Sequence, residues 1–208
     1  MQAFTRRNTL VALAAWLLAG CASTTLQSAW YDSTYKGPAF KRILVVGVSG
    51  SLTSRRVFDD IFAQSLNAAG VDGLPGYQFI ENASAPNEAN FNAGVERSGA
   101  DAVLLVRLLG VDTRTQVSTT MVPAMYGSPF GGPFGPYGPW GPAWYAVPDV
   151  QQYQLADVEA TLFDTKSHRP IWSATTQTFN PTTVAAETPG YAKLVIAQLS
   201  ARGLIATK

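Results

Sequence analysis

Residues 43–48, with the sequence ILVVGV, decide the fold, because they form an uninterrupted apolar run that ends before Ser49, Gly50 and Ser51. Such a run is typical of a strand that is buried on both faces of a sheet. A helix follows, with Ser54 as its expected N-cap and Gly70 as its expected end. The expected apolar face of that helix consists of Val57, Phe58, Ile61, Phe62, Ser65, Leu66 and Ala69.

Further strands and helices follow along the chain. The remaining predicted elements are a strand at 77–80, a helix at 87–98, a strand at 101–109, a hairpin of strands at 154–163 and 171–179 joined by a turn at 164–170, and a helix at 188–202. This order predicts an α/β (α+β) sandwich. We expect a mixed sheet of about five strands, three helices mainly on one face, and a long Gly/Pro/aromatic loop.

The N-terminal residues predict export from the cytoplasm. Arg6 and Arg7 precede an apolar run from Leu10 to Ala19, which is the pattern of a secretory signal peptide. The run Leu-Ala-Gly-Cys that ends at Cys21 resembles the lipobox of bacterial lipoproteins. That resemblance implies cleavage before Cys21, a diacylglyceryl group on its thiol and acylation of the freed amine. Ala22 favours the outer membrane, since in that family retention at the inner membrane often goes with Asp at this position.

These features divide the chain into three parts. Residues 1–20 are the expected cleaved leader, residues 21–40 a lipidated cysteine with a flexible tether, and residues 41–208 a single α/β domain with an insertion at 115–149. The leader holds two of the 15 basic residues and none of the 14 acidic ones, so the mature chain carries 13 against 14, a net charge of −1. A near-neutral chain lacks the basic footprint of a nucleic-acid-binding protein.

An uncharged segment of unusual composition interrupts the domain. No charged residue occurs between positions 115 and 148, and residues 126–148 are almost wholly glycine, proline and aromatic. Proline disfavours both a helix and a central strand here. Two interpretations stay open: a surface loop that joins two strands, and an adhesive segment that presents aromatic faces to a partner. The candidate partner-binding residues are Phe130, Phe134, Tyr137, Trp140, Trp144 and Tyr145.

The remaining candidates for chemistry are weak. His168 is the only histidine and lies in a predicted turn, so we expect no metal site. Asp59 and Asp60 are expected on a solvated helix face, paired with Arg55 and Arg56 one turn earlier. Arg107 is expected at a strand end or on an outward face, with a buried ion pair to Asp157 or Glu159 as the alternative. Residues 47–51 lack the spacing and the lysine of a phosphate-binding loop.

Several loose motifs resemble a group of bacterial envelope lipoproteins whose α/β domain is related to the TolB N-terminal domain, CsgG and LpoB. The resemblance covers roughly residues 40–202 and lies in Gly47-Val48, Arg55-Arg56-x-Phe58-x-Asp60, the run GADAVL at 99–104, and Leu162-Phe163-Asp164 with Ile171-Trp172. It implies roles in assembly, secretion or regulation through protein contacts rather than catalysis. The insertion at 115–149 departs from the pattern of that group.

The sequence therefore predicts a lipoprotein anchored in the outer membrane and facing the periplasm, which acts as a non-enzymatic interaction module in envelope assembly or maintenance. We expect no cofactor other than the covalent lipid on Cys21, and an envelope protein or peptidoglycan as partner. One alternative is a subunit of an oligomeric secretion or pore assembly that inserts the uncharged segment. The other is an enzyme acting on the cell wall, for which Asp157 and Glu159 are the available carboxylates on one strand face.

Overall fold

A computed structural model describes residues 24–80, 88–123 and 144–207. These residues build one mixed sheet in the order β1-β6-β5-β4-β2-β3. The strands are β1 (Thr24–Tyr31), β2 (Arg42–Val48), β3 (Asp72–Pro75), β4 (Ala102–Pro123), β5 (Trp144–Asp164) and β6 (Pro170–Phe179), and the helices are α1 (Leu52–Ala68), α2 (Glu88–Ser98) and α3 (Val184–Ala201). The α/β class is confirmed, with six strands in place of about five.

The predicted central strand organises two apolar layers. Strand β2 pairs in parallel with both β3 and β4, and the other pairings in the sheet are antiparallel. Ile43 and Val45 belong to the main core with α1 and α3, whereas Leu44 and Val46 belong to a smaller core on the other face. Because successive strand residues point to opposite faces, β2 is buried on both sides, as the apolar run predicts. Two helices therefore cover one face, and α2 covers the other.

The segment predicted as a tether contains a strand of the sheet, Thr24–Tyr31, and is held to the domain again at Phe40. Strand β1 pairs antiparallel with β6, and Leu26 packs against the main core. Phe40 is buried, stacks on Tyr35 and forms a parallel bridge with Ile205. A flexible tether is therefore wrong for these residues. The apolar side chains that pack this segment against the domain are few and lie among many small and polar residues.

The strand predicted at 77–80 is wrong. The strand in this region is β3, and Gly76–Gln78 form a single 3-10 turn. Gly76 lies so close to the Val45 carbonyl oxygen that a Cβ atom would stand 2.5 Å from it. The Tyr77 N–H donates to Asp59 instead of to a neighbouring strand. The chain therefore turns at the point where an apolar pattern indicates extension.

Two helix starts differ from their predicted positions. Helix α1 begins three residues early, because Ser51 is its N-cap and its Oγ accepts a hydrogen bond from the Ser54 N–H at 3.2 Å. Helix α3 begins at Val184 with Thr183 as its N-cap, so that Pro189 lies within its second turn. Gly70 has a φ of +93°, which confirms it as the residue that ends α1.

Candidate functional site

The longest feature of the fold is a hairpin whose strands outgrow the sheet. Strand β4 pairs with β2 only as far as Arg107, and β5 pairs with β6 only from Leu155 onward. In the eleven residue pairs from Thr113 opposite Gln154 to Pro123 opposite Trp144, neither strand pairs with a third strand. We call residues 113–123 and 144–154 the ribbon. At 3.4 Å per residue it extends about 35 Å beyond the sheet.

The two faces of the ribbon differ in charge. One face carries Arg114 and Asp149 together with glutamine, serine and tyrosine side chains. The opposite face, which we call the uncharged face, contains positions 113, 115, 117 and 119 of β4 and 148, 150, 152 and 154 of β5. Val117 and Val150 lie directly opposite each other on this face and are 65% and 58% exposed. Among the ribbon side chains that the structure describes, the exposed valines lie on the uncharged face and the charged groups lie on the opposite face.

A cavity of about 590 Å³ lies where the ribbon joins the sheet, between the sheet and the first turns of α1 and α3. Its sheet wall consists of Val106, Ala156 and Val158, and its helix wall includes Phe58 and Tyr191. Val111 and Gln154 also line it, so the uncharged face continues into the cavity without a break. The cavity and the ribbon thus form one surface on the helix side of the sheet.

The first described residue lies at the same end of the sheet. Thr24 is paired with Thr178, and their Oγ1 atoms are 2.9 Å apart in a buried hydrogen bond. Thr178 lines the cavity, and the neighbouring Phe179 is paired with Leu155 at the ribbon base. Cys21 precedes Thr24 by three residues, which span at most about 11 Å. The described chain therefore begins beside both the cavity and the ribbon base.

A buried ion pair supports the floor of the cavity. Arg55 and Asp59 pair as predicted but are buried, whereas Arg56 and Asp60 are exposed as predicted. Arg55 and Asp59 are 2% and 0% exposed, with 3.8 Å between Nε and Oδ2. The Arg55 Nη2 donates to the Ile80 carbonyl oxygen at 2.7 Å. The Asp59 carboxylate accepts hydrogen bonds from the N–H of Gly47 at 2.8 Å and of Tyr77 at 3.1 Å. These two side chains join β2, α1 and the 3-10 turn.

Burial dominates the titration of this pair. It raises the pKa of the Asp59 carboxyl to about 7, against the opposing effects of the Gly47 N–H, Arg55 and the Tyr77 N–H. It also lowers the pKa of the Arg55 guanidinium, which the Asp59 charge opposes. The pair is a structural link between three elements, because it is hydrogen-bonded to backbone groups of Gly47, Tyr77 and Ile80.

The other predicted candidates are dispersed. Arg107 forms the predicted ion pair with Glu159 at 2.6 Å, but Arg107 is 57% exposed, so the pair is not buried. Asp157 accepts a hydrogen bond from the Gln177 side chain at 2.9 Å. His168 is exposed in the turn before β6, with a φ of +56°. Within the ranges that the structure describes, no group of three or more acidic, histidine or cysteine side chains is placed to hold a metal ion.

Four of the six predicted contact residues, and the predicted lipid site, lie outside the described residues. They are Phe130, Phe134, Tyr137 and Trp140, together with Cys21. Trp144 and Tyr145 begin β5, where their backbones pair with Pro123 and Val122. The described parts of the predicted insertion, residues 115–123 and 144–149, are therefore strands rather than loop. None of the described helices is both long enough and apolar enough to cross a membrane.

Comparisons with known proteins give remote structural similarities. No family model and no curated protein matches the chain. A PelC dodecamer from Paraburkholderia phytofirmans is similar in two crystal forms. The TM-scores are 0.43 and 0.41 at 13% identity, over 81% and 86% of this chain and 94% and 98% of the other. The lipoprotein GNA1162 from Neisseria meningitidis gives a TM-score of 0.39 at 17% identity, over 79% of this chain and 99% of the other.

Similarities at these TM-scores assign neither a family nor a function to this chain. The resemblance to the TolB, CsgG and LpoB group stays a prediction.

Proposed function

We propose that this protein is a lipid-anchored, non-enzymatic interaction module on the periplasmic side of the outer membrane, acting in envelope assembly or maintenance. The observation that carries the proposal is the position of the ribbon. It leaves the sheet at the end where β1 begins, three residues after the expected lipid site at Cys21. A domain held by Cys21 points the ribbon toward the membrane that anchors it.

The short connection sharpens this orientation. A tether of residues 22–40 would allow the domain to move tens of ångströms away from the membrane. Because β1 already belongs to the sheet at Thr24, only Ala22 and Ser23 separate the lipidated residue from the folded domain. Only a few residues therefore connect the ribbon base to the membrane surface. Anchoring also raises the local concentration of any partner there.

The uncharged face of the ribbon is the proposed contact surface. An isolated two-stranded hairpin is marginally stable in water, and exposed valines such as Val117 and Val150 gain from being covered. Four of the aromatic residues predicted to bind a partner lie in the sequence between the two ribbon strands, and Trp144 and Tyr145 begin the second strand. We propose that they extend this surface.

Site-specific photocrosslinking in intact cells tests the proposal. A benzophenone amino acid at position 117 lies on the uncharged face, and one at position 116 lies on the opposite face of the same strand. We expect a specific adduct from position 117 and little from position 116, which is the matched control. Equal adduct patterns from the two positions, or no adduct from either, would reject the uncharged face as the contact surface.

A second candidate function is an oligomeric secretion or pore assembly. The observation that favours it is the pair of ribbon edges, which have no partner strand among the described residues at positions 113–123 of β4 and 144–153 of β5. Unpaired edges of this length are templates for pairing with another chain. This candidate predicts a defined oligomer in mild detergent that is lost when residues 113–154 are replaced by a short turn. A monomer before the replacement would contradict it.

A further inference from the structure

We propose that the cavity at the ribbon base accommodates one of the acyl chains carried by Cys21. The inference rests on the proposed function, because it requires a lipid at that position. It adds a second place for the lipid, inside the protein, to the place in the membrane.

The walls of the cavity suit an apolar chain. Val106 and Ala156 are buried and Val158 is half-buried on the sheet side, while the rings of Phe58 and Tyr191 close the helix side. These two rings pack against each other, with centroids 6.1 Å apart. A volume of about 590 Å³ falls in the range of roughly 300–1,000 Å³ that is usual for cavities that bind small molecules.

Several polar groups at the cavity are already engaged within the protein. Thr178 bonds to Thr24, and the Thr183 Oγ1 accepts the Ala186 N–H as part of the α3 cap. Glu187 accepts hydrogen bonds from the N–H and the hydroxyl of Thr182, both at 3.0 Å. The exception is the Tyr191 hydroxyl, which is buried at the cavity without a hydrogen-bond partner among the described residues. An occupant therefore gains mainly by burying apolar surface, with one hydroxyl left for a polar group.

The position of Cys21 identifies the source of the chain. Thr24 touches the cavity-lining Thr178, and Cys21 lies no more than about 11 Å of extended chain away from Thr24. A chain attached to Cys21 is thus present at a high effective concentration that a free lipid does not have. One chain in the cavity leaves the other chains of the lipidated cysteine to hold the membrane.

The first test maps contacts of the lipid in the wild-type protein. Cells are fed palmitic acid that carries a diazirine, so that the probe enters the acyl chains on Cys21, and the lipid-anchored protein is irradiated and digested. We expect adducts that join the N-terminal acylated peptide to peptides containing Val106 or Val158. An adduct of these peptides with a phospholipid, or the absence of any cavity adduct, would overturn the proposal.

The second test measures whether the cavity takes a fatty chain at all. The mature chain from residue 21, made without lipid, contains every described element, and it is titrated with a fluorescent undecanoic acid. We expect saturable binding that Ala156→Trp weakens roughly tenfold or more by filling the cavity. Gln116→Trp, on the opposite face of the ribbon, is the control and leaves the affinity unchanged. Absence of saturable binding, or equal weakening by both substitutions, would contradict the proposal.

A third variant and one prior measurement distinguish failure of this inference from failure of the proposed function. Leu108 lines the cavity and is 56% exposed, so Leu108→Trp narrows the cavity without overpacking the core, and we expect it to weaken binding as well. Mass spectrometry of the purified protein first establishes whether Cys21 carries lipid. An unmodified thiol defeats the proposed function, whereas a lipidated Cys21 without cavity adducts defeats only this inference.

Discussion

Thr24 and Thr178 share a buried hydrogen bond of 2.9 Å that fixes the N-terminal strand at the end of the sheet from which the ribbon emerges. Removing one hydroxyl leaves the other buried without its partner, which costs about 1–3 kcal/mol. We therefore expect Thr24→Val to lower the free energy of unfolding by about that amount. The double variant Thr24→Val/Thr178→Val should recover most of the loss in a denaturant titration. A double variant as unstable as the sum of both singles would contradict the role of this bond.

The close packing of Gly47 in β2 against α1 can be tested by substitution. A Cβ atom at this position would stand 2.8 Å from Cδ1 of Phe58 and 3.0 Å from Oδ1 of Asp59. We expect Gly47→Ala to lower the free energy of unfolding by about 1–3 kcal/mol, because the Phe58 ring or the helix that carries it must shift to make room. Gly50→Ala is the control, since a Cβ atom there meets nothing within 4 Å. Similar stabilities of the two variants would contradict the packing described here.

The pH dependence of stability tests the burial of Asp59. Its pKa is about 7 in the folded protein against an ordinary value of 3.8, so folding takes up a proton between these pH values. The contribution of this carboxyl is fully present below about pH 4 and is lost as the pH rises through 7. We expect the wild type to lose stability relative to Asp59→Asn between pH 4 and 8, by a few kcal/mol at most, at about 1.4 kcal/mol per pKa unit. A difference that stays constant with pH would contradict this titration.

Phe40 tests whether the segment before β2 belongs to the folded domain. It is 4% exposed in the main core, so Phe40→Ala should cost about 3–5 kcal/mol in the free energy of unfolding. Trp30 lies in the same segment and is half exposed, and we expect Trp30→Ala to cost much less. Two small effects would indicate a flexible tether instead.

The sequence predicts the interior of the fold better than its periphery. Residues 43–48 and 171–179 have strong and simple apolar patterns, and both are strands close to their predicted bounds. Strand β1 was missed because its burial depends on long-range pairing with β6, and only Thr24 and Leu26 carry the signal. Tyr77 was misassigned because the close approach of Gly76 to β2 cannot be read from apolar periodicity.

The site was predicted only in composition. The absence of charge at positions 115–148 singled out the region that contains the ribbon, but the expectation of a loop overlooked the β-propensity of threonine and valine at alternate positions such as 115, 117 and 119. The cavity could not be predicted, because its walls come from residues far apart in sequence, including Phe58, Val106 and Tyr191. The burial of Arg55 and Asp59 likewise depends on how β2 and the 3-10 turn close over α1.

The orientation of the ribbon toward the anchoring membrane underlies the proposed function, and fluorescence quenching measures that orientation. The thiol of a lipidated Cys21 is blocked, so Val117→Cys or Ser167→Cys supplies one reactive thiol for a fluorophore, at the ribbon or at the opposite end of the sheet. The lipidated protein is placed in vesicles that contain a quencher lipid. We expect strong quenching from position 117 and weak quenching from position 167. Equal quenching, or stronger quenching from position 167, would show that the ribbon does not point toward the membrane.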